Sequence, residues 1–173
     1  MNRITEIIVR ALTGAVVSAV PAWPPAAGAQ AIPERSGPWA YSHQPAPDRP
    51  MQMATTPAAE DANVWLLLVC ERARLSAAVM HAAGFPYAIN AESAIVLRFA
   101  DHPDVTVEAL PVGESQVSIA GAAARHLLPL VIESERVSVS IVDSDGGSRD
   151  YTFSLQPNGV ALAGILRDCW DDR

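Results

Sequence analysis

Residues 64–70, VWLLLVC, constrain the fold of this chain more than any other stretch: an unbroken apolar run that ends in one of only two cysteines. A run of that length is short for a helix and reads as a strand buried on both faces. The second cysteine, Cys169, lies in LAGILRDCW, where Leu162, Ile165, Leu166 and Cys169 share one helical face at i, i+3, i+4 and i+7. Both cysteines therefore fall on predicted core faces, and the sequence predicts a central strand tied to a closing helix by a Cys70–Cys169 disulfide.

At 173 residues the chain is long enough for one domain with a proper core. Twelve arginines, no lysine and 19 acidic residues give a net charge of -7, which opposes general attraction to nucleic acid or anionic lipid. The start resembles an export leader: Arg3 and Arg10 are basic, residues 11–20 (ALTGAVVSAV) are apolar, and small residues offer cleavage after Ala29 or Ala31. The apolar run is shorter than the roughly 20 residues a spanning helix needs, so residues 1–29 read as a removable signal peptide with no stable membrane insertion afterwards. The expected location is the periplasm or beyond, where disulfides persist.

Prolines 33, 38, 45, 47, 50 and 57 break every candidate helix in the next stretch. Residues 30–50 read as a tether in which one or two short edge strands could form around Trp39 and Tyr41, with disorder as the alternative. Residues 51–173 form the single expected domain. Within it, Leu75/Ala77/Val79, Ile95/Leu97/Phe99, Val105/Val107 and Val117/Ile119 alternate with smaller or polar residues as half-buried strands do. Gly84 with Pro86, residues 101–104 (DHPD), and Pro111 with Gly113 supply turns between them. AAARHLLPLVI predicts a short helix kinked or ended near Pro129, because proline cannot donate to Arg125. Val137/Val139/Ile141, the turn DSDGG and Tyr151/Phe153/Leu155 predict a hairpin with one wet face, followed by the last helix from about Gly159 to Cys169 and Trp170.

No candidate site assembles a complete chemical set. Asp143 and Asp145 begin like a calcium loop, but Gly147 and Ser154 stand where its fifth and twelfth ligands belong. Asp101, His102 and Asp104 place two carboxylates beside an imidazole, a weak spacing for metal or proton transfer, and His43, His81 and His126 lie on other elements. A nucleophile elbow, a C-x-x-C pair and a glycine-rich phosphate loop are all absent from the sequence. The residues thus predict no catalytic, cofactor-binding or metal-binding set, and no cofactor.

In the order of its motifs the chain resembles the periplasmic accessory proteins associated with type VI secretion, the TagO/VasI type. Leu66-Leu67-Leu68-Val69-Cys70 matches that family's L-x-L-x-C strand, and Arg98-Phe99-Ala100-Asp101 resembles its strand ending in arginine, aromatic and aspartate, one residue longer. Phe153-Ser154-Leu155 leads through Gly159 to Leu166, Cys169 and Trp170 as in its last segment. The resemblance covers roughly residues 51–170. The family's cysteine-containing segment ahead of this domain has no counterpart here. What the resemblance implies is a β-rich periplasmic domain closed by a disulfide; it brings no catalytic residues.

The expected fold is α+β, an antiparallel sheet or sandwich covered by two helices. The expected function is a non-enzymatic accessory domain that binds another cell-envelope protein, with short sheet edges near Met51 and Met53 open to strand addition. The alternatives are a cell-envelope hydrolase using Asp101, His102 and Asp104, which needs a converging polar pocket, or a small-ligand carrier, which needs a cavity inside the sheet. The sequence leaves the oligomeric state open.

Overall fold

Residues 34–44, 51–86, 88–89, 94–119 and 121–169 are described by a computed structural model. The leader, residues 1–29, and its cleavage sites lie outside the described residues, as does Trp170. Strands β1 (Glu34–Ser36), β2 (Trp39–Gln44), β3 (Met51–Pro57), β4 (Val64–Glu71), β5 (Arg74–His81), β8 (Leu110–Val112) and β9 (Gln116–Ile119) build a seven-stranded sheet in the order β1-β2-β3-β4-β5-β9-β8. Strands β6 (Ala94–Phe99), β7 (Val105–Glu108), β10 (Arg136–Val142) and β11 (Ser148–Ser154) build a four-stranded sheet in the order β11-β10-β6-β7. Every pairing between them is antiparallel.

The alternation of each strand directs one face of each sheet into a shared core. Ala54, Leu66, Leu68, Leu75, Ala77, Val79, Val117 and Ile119 come from the large sheet. Ile95, Leu97, Phe99, Val137, Val139, Ile141 and Phe153 come from the small one. Helices α1 (Gly121–Glu133) and α2 (Gly159–Cys169) add Ala124, Leu127, Leu128 and Val131, and Ala161, Leu162 and Ile165, to the same cluster. The sheets are stitched along one side where Ala58 bridges Phe153 and the Ala59 N–H donates to the Thr152 carbonyl at 2.8 Å. The single buried residue Ala109 passes the chain from β7 in the small sheet to β8 in the large one. The α+β fold expected from the sequence is the fold observed, and Cys70 and Cys169 form the disulfide, with their Cα atoms 5.8 Å apart.

Residues 34–44 hold β1 and β2, the short strands the sequence allowed around Trp39 and Tyr41; Trp39 is wholly buried and its indole N–H donates to the Leu155 carbonyl at 2.8 Å, so it is a core residue. Three local expectations change. Met51 and Met53 lie on β3, which is hydrogen-bonded to β2 on one side and β4 on the other, so no open edge exists there. The turn expected at Pro111 and Gly113 begins at Gly113, while Pro111 lies in the edge strand β8, where it is tolerated because an edge strand has one side with no ladder to complete. Helix α1 continues through Pro129 to Glu133; the bond lost is the one to the Arg125 carbonyl, and Arg125 is exposed, where water can satisfy it.

Candidate functional site

The residues suspected of chemistry do not converge. Asp101 is exposed, and the His102 N–H donates to the Phe99 carbonyl at 3.3 Å within the turn. Asp104 turns instead to Arg98, whose Nε lies 3.3 Å from its carboxylate. Arg98 also donates to the Ser140 hydroxyl, which in turn donates to Asp150, so Asp104, Arg98, Ser140 and Asp150 form a bonded network on the outer face of the small sheet, with one guanidinium shared by two carboxylates. Ser140, expected on a wet face, is therefore nearly inaccessible. An open cavity of about 280 Å³ beside this network is lined by Arg98, Phe99, Ala100, Arg136, Ser138 and Thr152, without Asp101, His102 or Asp104. Asp143 accepts from the Asp145 and Gly147 N–H groups at 3.0 and 2.8 Å, so its carboxylate closes the hairpin turn. Among the described residues no cluster of histidine, cysteine and carboxylate side chains has the geometry to hold a metal ion.

Two carboxylates at the junction of the sheets are perturbed. Burial pushes the Glu60 carboxyl up, but hydrogen bonds from Thr152, including its N–H at 2.7 Å, outweigh this and hold it below its ordinary value of 4.5. The Asn63 N–H, aided by His81 at 3.5 Å, holds the Asp61 carboxyl below 3.8. The bonds of both carboxylates tie loops to strands.

The unusual surface lies elsewhere, on the side of the large sheet that faces away from the core. Residues 64–70 were read as buried on both faces, yet only Val64, Leu66, Leu68 and Cys70 belong to the core. Trp65, Leu67, Val69 and Glu71 point the other way. Register extends this outer face across the sheet. Trp65 stands beside Met80 and Pro57, Leu67 beside Ala78 and Thr55, Val69 beside Ser76 and Met53, and Glu71 beside Arg74 and Met51. Ser118 and Gln116 of β9, then Leu110 and Val112 of β8, continue the rows.

From β3 to β8, between Glu71/Arg74 at one end and Trp65/Met80 at the other, this face carries no charge; Arg35 stands on the same face at the far edge, on β1. Met51, Met53 and Met80, all the methionines after the first residue, are on it. Trp65 is 36% exposed, Leu110 55% and Val112 52%. Leu67 and Ala78 are buried at its centre but stand apart from the continuous core, as expected of residues in a second layer. Both helices contribute their buried residues to the opposite face, so no helix of the described residues packs here. With ~3.4 Å per residue and ~4.8 Å between strands, the face from β3 to β8 spans roughly 400 Å² in projection, with Thr55, Ser76, Gln116 and Ser118 interspersed among its apolar residues. The signal was present in the sequence as methionines and a tryptophan alternating with core residues on β3, β4 and β5.

No protein-family model matches the chain, and no curated protein matches it in sequence. Among solved structures it is similar to the crystal structure of invasion associated protein B from Bartonella henselae, with 12% sequence identity and a TM-score of 0.55. The similarity covers 79% of this chain and 97% of that one, and at this identity it is a likeness of fold.

Proposed function

We propose that this chain is an exported, non-enzymatic interaction module of the cell envelope, and that its contact surface is the outer face of the large sheet. The observation that carries this reading is the charge-free face built from Met53, Trp65, Val69, Met80, Leu110 and Val112 in a chain of net charge -7. The exposed Trp65, Leu110 and Val112 leave in water apolar surface whose burial is worth roughly 25 cal/mol per Å², which a partner recovers. Methionine and tryptophan suit the role, since both present large adaptable or rigid apolar area. Export is supported by the basic, apolar and small-residue order of residues 1–31 and by the Cys70–Cys169 disulfide, which suits an oxidising compartment. No helix among the described residues is long and apolar enough to cross a membrane.

A photo-crosslinking residue placed in living cells at position 69 or 80 should give discrete adducts with an envelope protein, whereas the same residue at position 138 or 152 on the small sheet should not. Alanine at Asp101, His102 and Asp104 together should leave those adducts unchanged. Equal adducts from both sheets, or loss of adducts in the triple alanine variant with the fold intact, would sink the reading.

A further inference from the structure

The outer face is complementary to itself, and we infer that its partner is a second copy of this chain, related by a two-fold axis running parallel to the strands between β4 and β5. This rests on the reading of that face as the contact surface. The inference comes from the register of one hairpin. The outward residues of β4 are Trp65, Leu67, Val69 and Glu71, and directly across from them on β5 stand Met80, Ala78, Ser76 and Arg74.

A two-fold axis lying between the two strands, in the plane of contact, sets β4 of one copy over β5 of the other without shifting the rows. Each outward residue then meets the cross-strand neighbour of its own counterpart, as an isologous interface requires. Glu71 of each copy meets Arg74 of the other, so the charges of β4 and β5 on this face are paired at its rim, while Arg35 on β1 lies at the outer edge of the face, away from the axis. Val69 meets Ser76, a larger side chain over a smaller one. Trp65 meets Met80, a ring against a flexible thioether. Leu67 and Ala78, already buried within their own sheet, form a low floor in the middle row and let the two sheets approach. Aligned sheets pack ~10 Å apart at about 30° to one another, so this match holds best next to the axis, where these eight residues lie.

Size and charge favour the same occupant. Two faces of roughly 400 Å² projected area each approach the ~1,000 Å² of accessible surface that a specific interface needs. A copy of the chain also brings a surface that, from β3 to β8, is uncharged between its Glu71/Arg74 and Trp65/Met80 rows. Edge-to-edge association through the large sheet is disfavoured by comparison: β1 has three residues, and β8 has three with Pro111 at its centre.

Charge reversal tests the inference, because Glu71 and Arg74 are not core residues and the axis predicts how they pair. The purified chain should run as a dimer in sedimentation equilibrium. Glu71→Arg sets arginine over Arg74, and Arg74→Glu sets glutamate over Glu71, so each variant alone should dimerise at least about tenfold more weakly. Mixing the two variants pairs arginines with carboxylates across the interface and should restore a heterodimer to near wild-type affinity. Mixing separates contacts between copies from those within one hairpin, and thermal midpoints of both variants report whether each is folded. A chain that stays monomeric at every concentration, or a dimer indifferent to both reversals, overturns the inference. So does a mixture that stays as weak as its components. A monomer that still crosslinks from positions 69 and 80 to a different envelope protein would refute self-association and leave the interaction module standing. Absence of both would refute both.

Discussion

Gly164 provides a test in which local propensity and tertiary packing predict opposite signs. It lies inside α2, where replacing glycine by alanine ordinarily stabilises by about 1 kcal/mol. Here a Cβ would meet the Tyr41 hydroxyl, would stand 2.7 Å from the Gln52 amide oxygen and would lie 2.9 Å from the Tyr41 ring. Those atoms are fixed by their own bonds: the Tyr41 hydroxyl donates to Gln52 at 3.1 Å, and Gln52, only 3% exposed, donates onward to Asp168 of the same helix. Making room means moving α2 off β2 and β3 or breaking this chain. Overpacking costs about 1–3 kcal/mol, and leaving the buried Gln52 amide unpaired costs about 1–3 kcal/mol more. Set against the propensity gain, Gly164→Ala should destabilise by about 1–5 kcal/mol and lower the thermal midpoint by on the order of 10 °C. Urea unfolding with the disulfide intact measures this, with exposed Ala163→Gly as the helix control, expected to cost about 1 kcal/mol. Combining Gly164→Ala with Tyr41→Phe should cost less than the sum of the two, because the hydroxyl is one of the atoms in the way. A Gly164→Ala midpoint at or above that of the natural chain would show that the close approach of α2 to β2 and β3 is not a constraint.

Replacing Cys70 and Cys169 together by alanine removes a crosslink between residues 99 apart and should cost up to about 4.7 kcal/mol in urea unfolding; a loss under about 1 kcal/mol would show that α2 is held by packing alone. The two-residue turn between β4 and β5 holds Arg72 and Ala73 at φ 52° and 59°, a left-handed geometry suited to glycine, so Ala73→Gly should raise stability by about 0.5–1 kcal/mol, and a fall in the urea midpoint would contradict this. The folded Glu60 carboxyl titrates below 4.5, so its contribution is present above that pH and disappears as the pH falls through the lowered value. Natural and Glu60→Gln chains should therefore differ in urea midpoint at pH 7, with a gap that shrinks as the pH is lowered below 4.5, and a gap at pH 7 no larger than the one in acid would show that Thr152 does not favour the ionised form.

Much of the fold was legible because it rests on local periodicity. Val137 to Ile141 and Tyr151 to Leu155 alternate as strands must, DSDGG can only turn, and Leu162, Ile165 and Cys169 recur on one helical face. The disulfide followed, since both cysteines were placed on core faces. What periodicity does not carry is the identity of the layer lying against each face. An apolar run such as residues 64–70 has the same sequence whether both sides are packed or one is left to meet a partner, so the outer face passed for core. Trp39 was hidden for the converse reason: its neighbours are prolines and polar residues, and only a bond to the distant Leu155 carbonyl makes it interior. The dispersal of Asp101, His102 and Asp104 likewise depends on Arg98 being delivered to Asp104 by a neighbouring strand. Alternation and helical spacing, the properties of neighbours in the chain, were determined by the sequence alone. Register between β4 and β5, which sets Glu71 beside Arg74 and leaves one apolar face open, was decided by tertiary structure, because it depends on where the chain turns and on what packs beneath it.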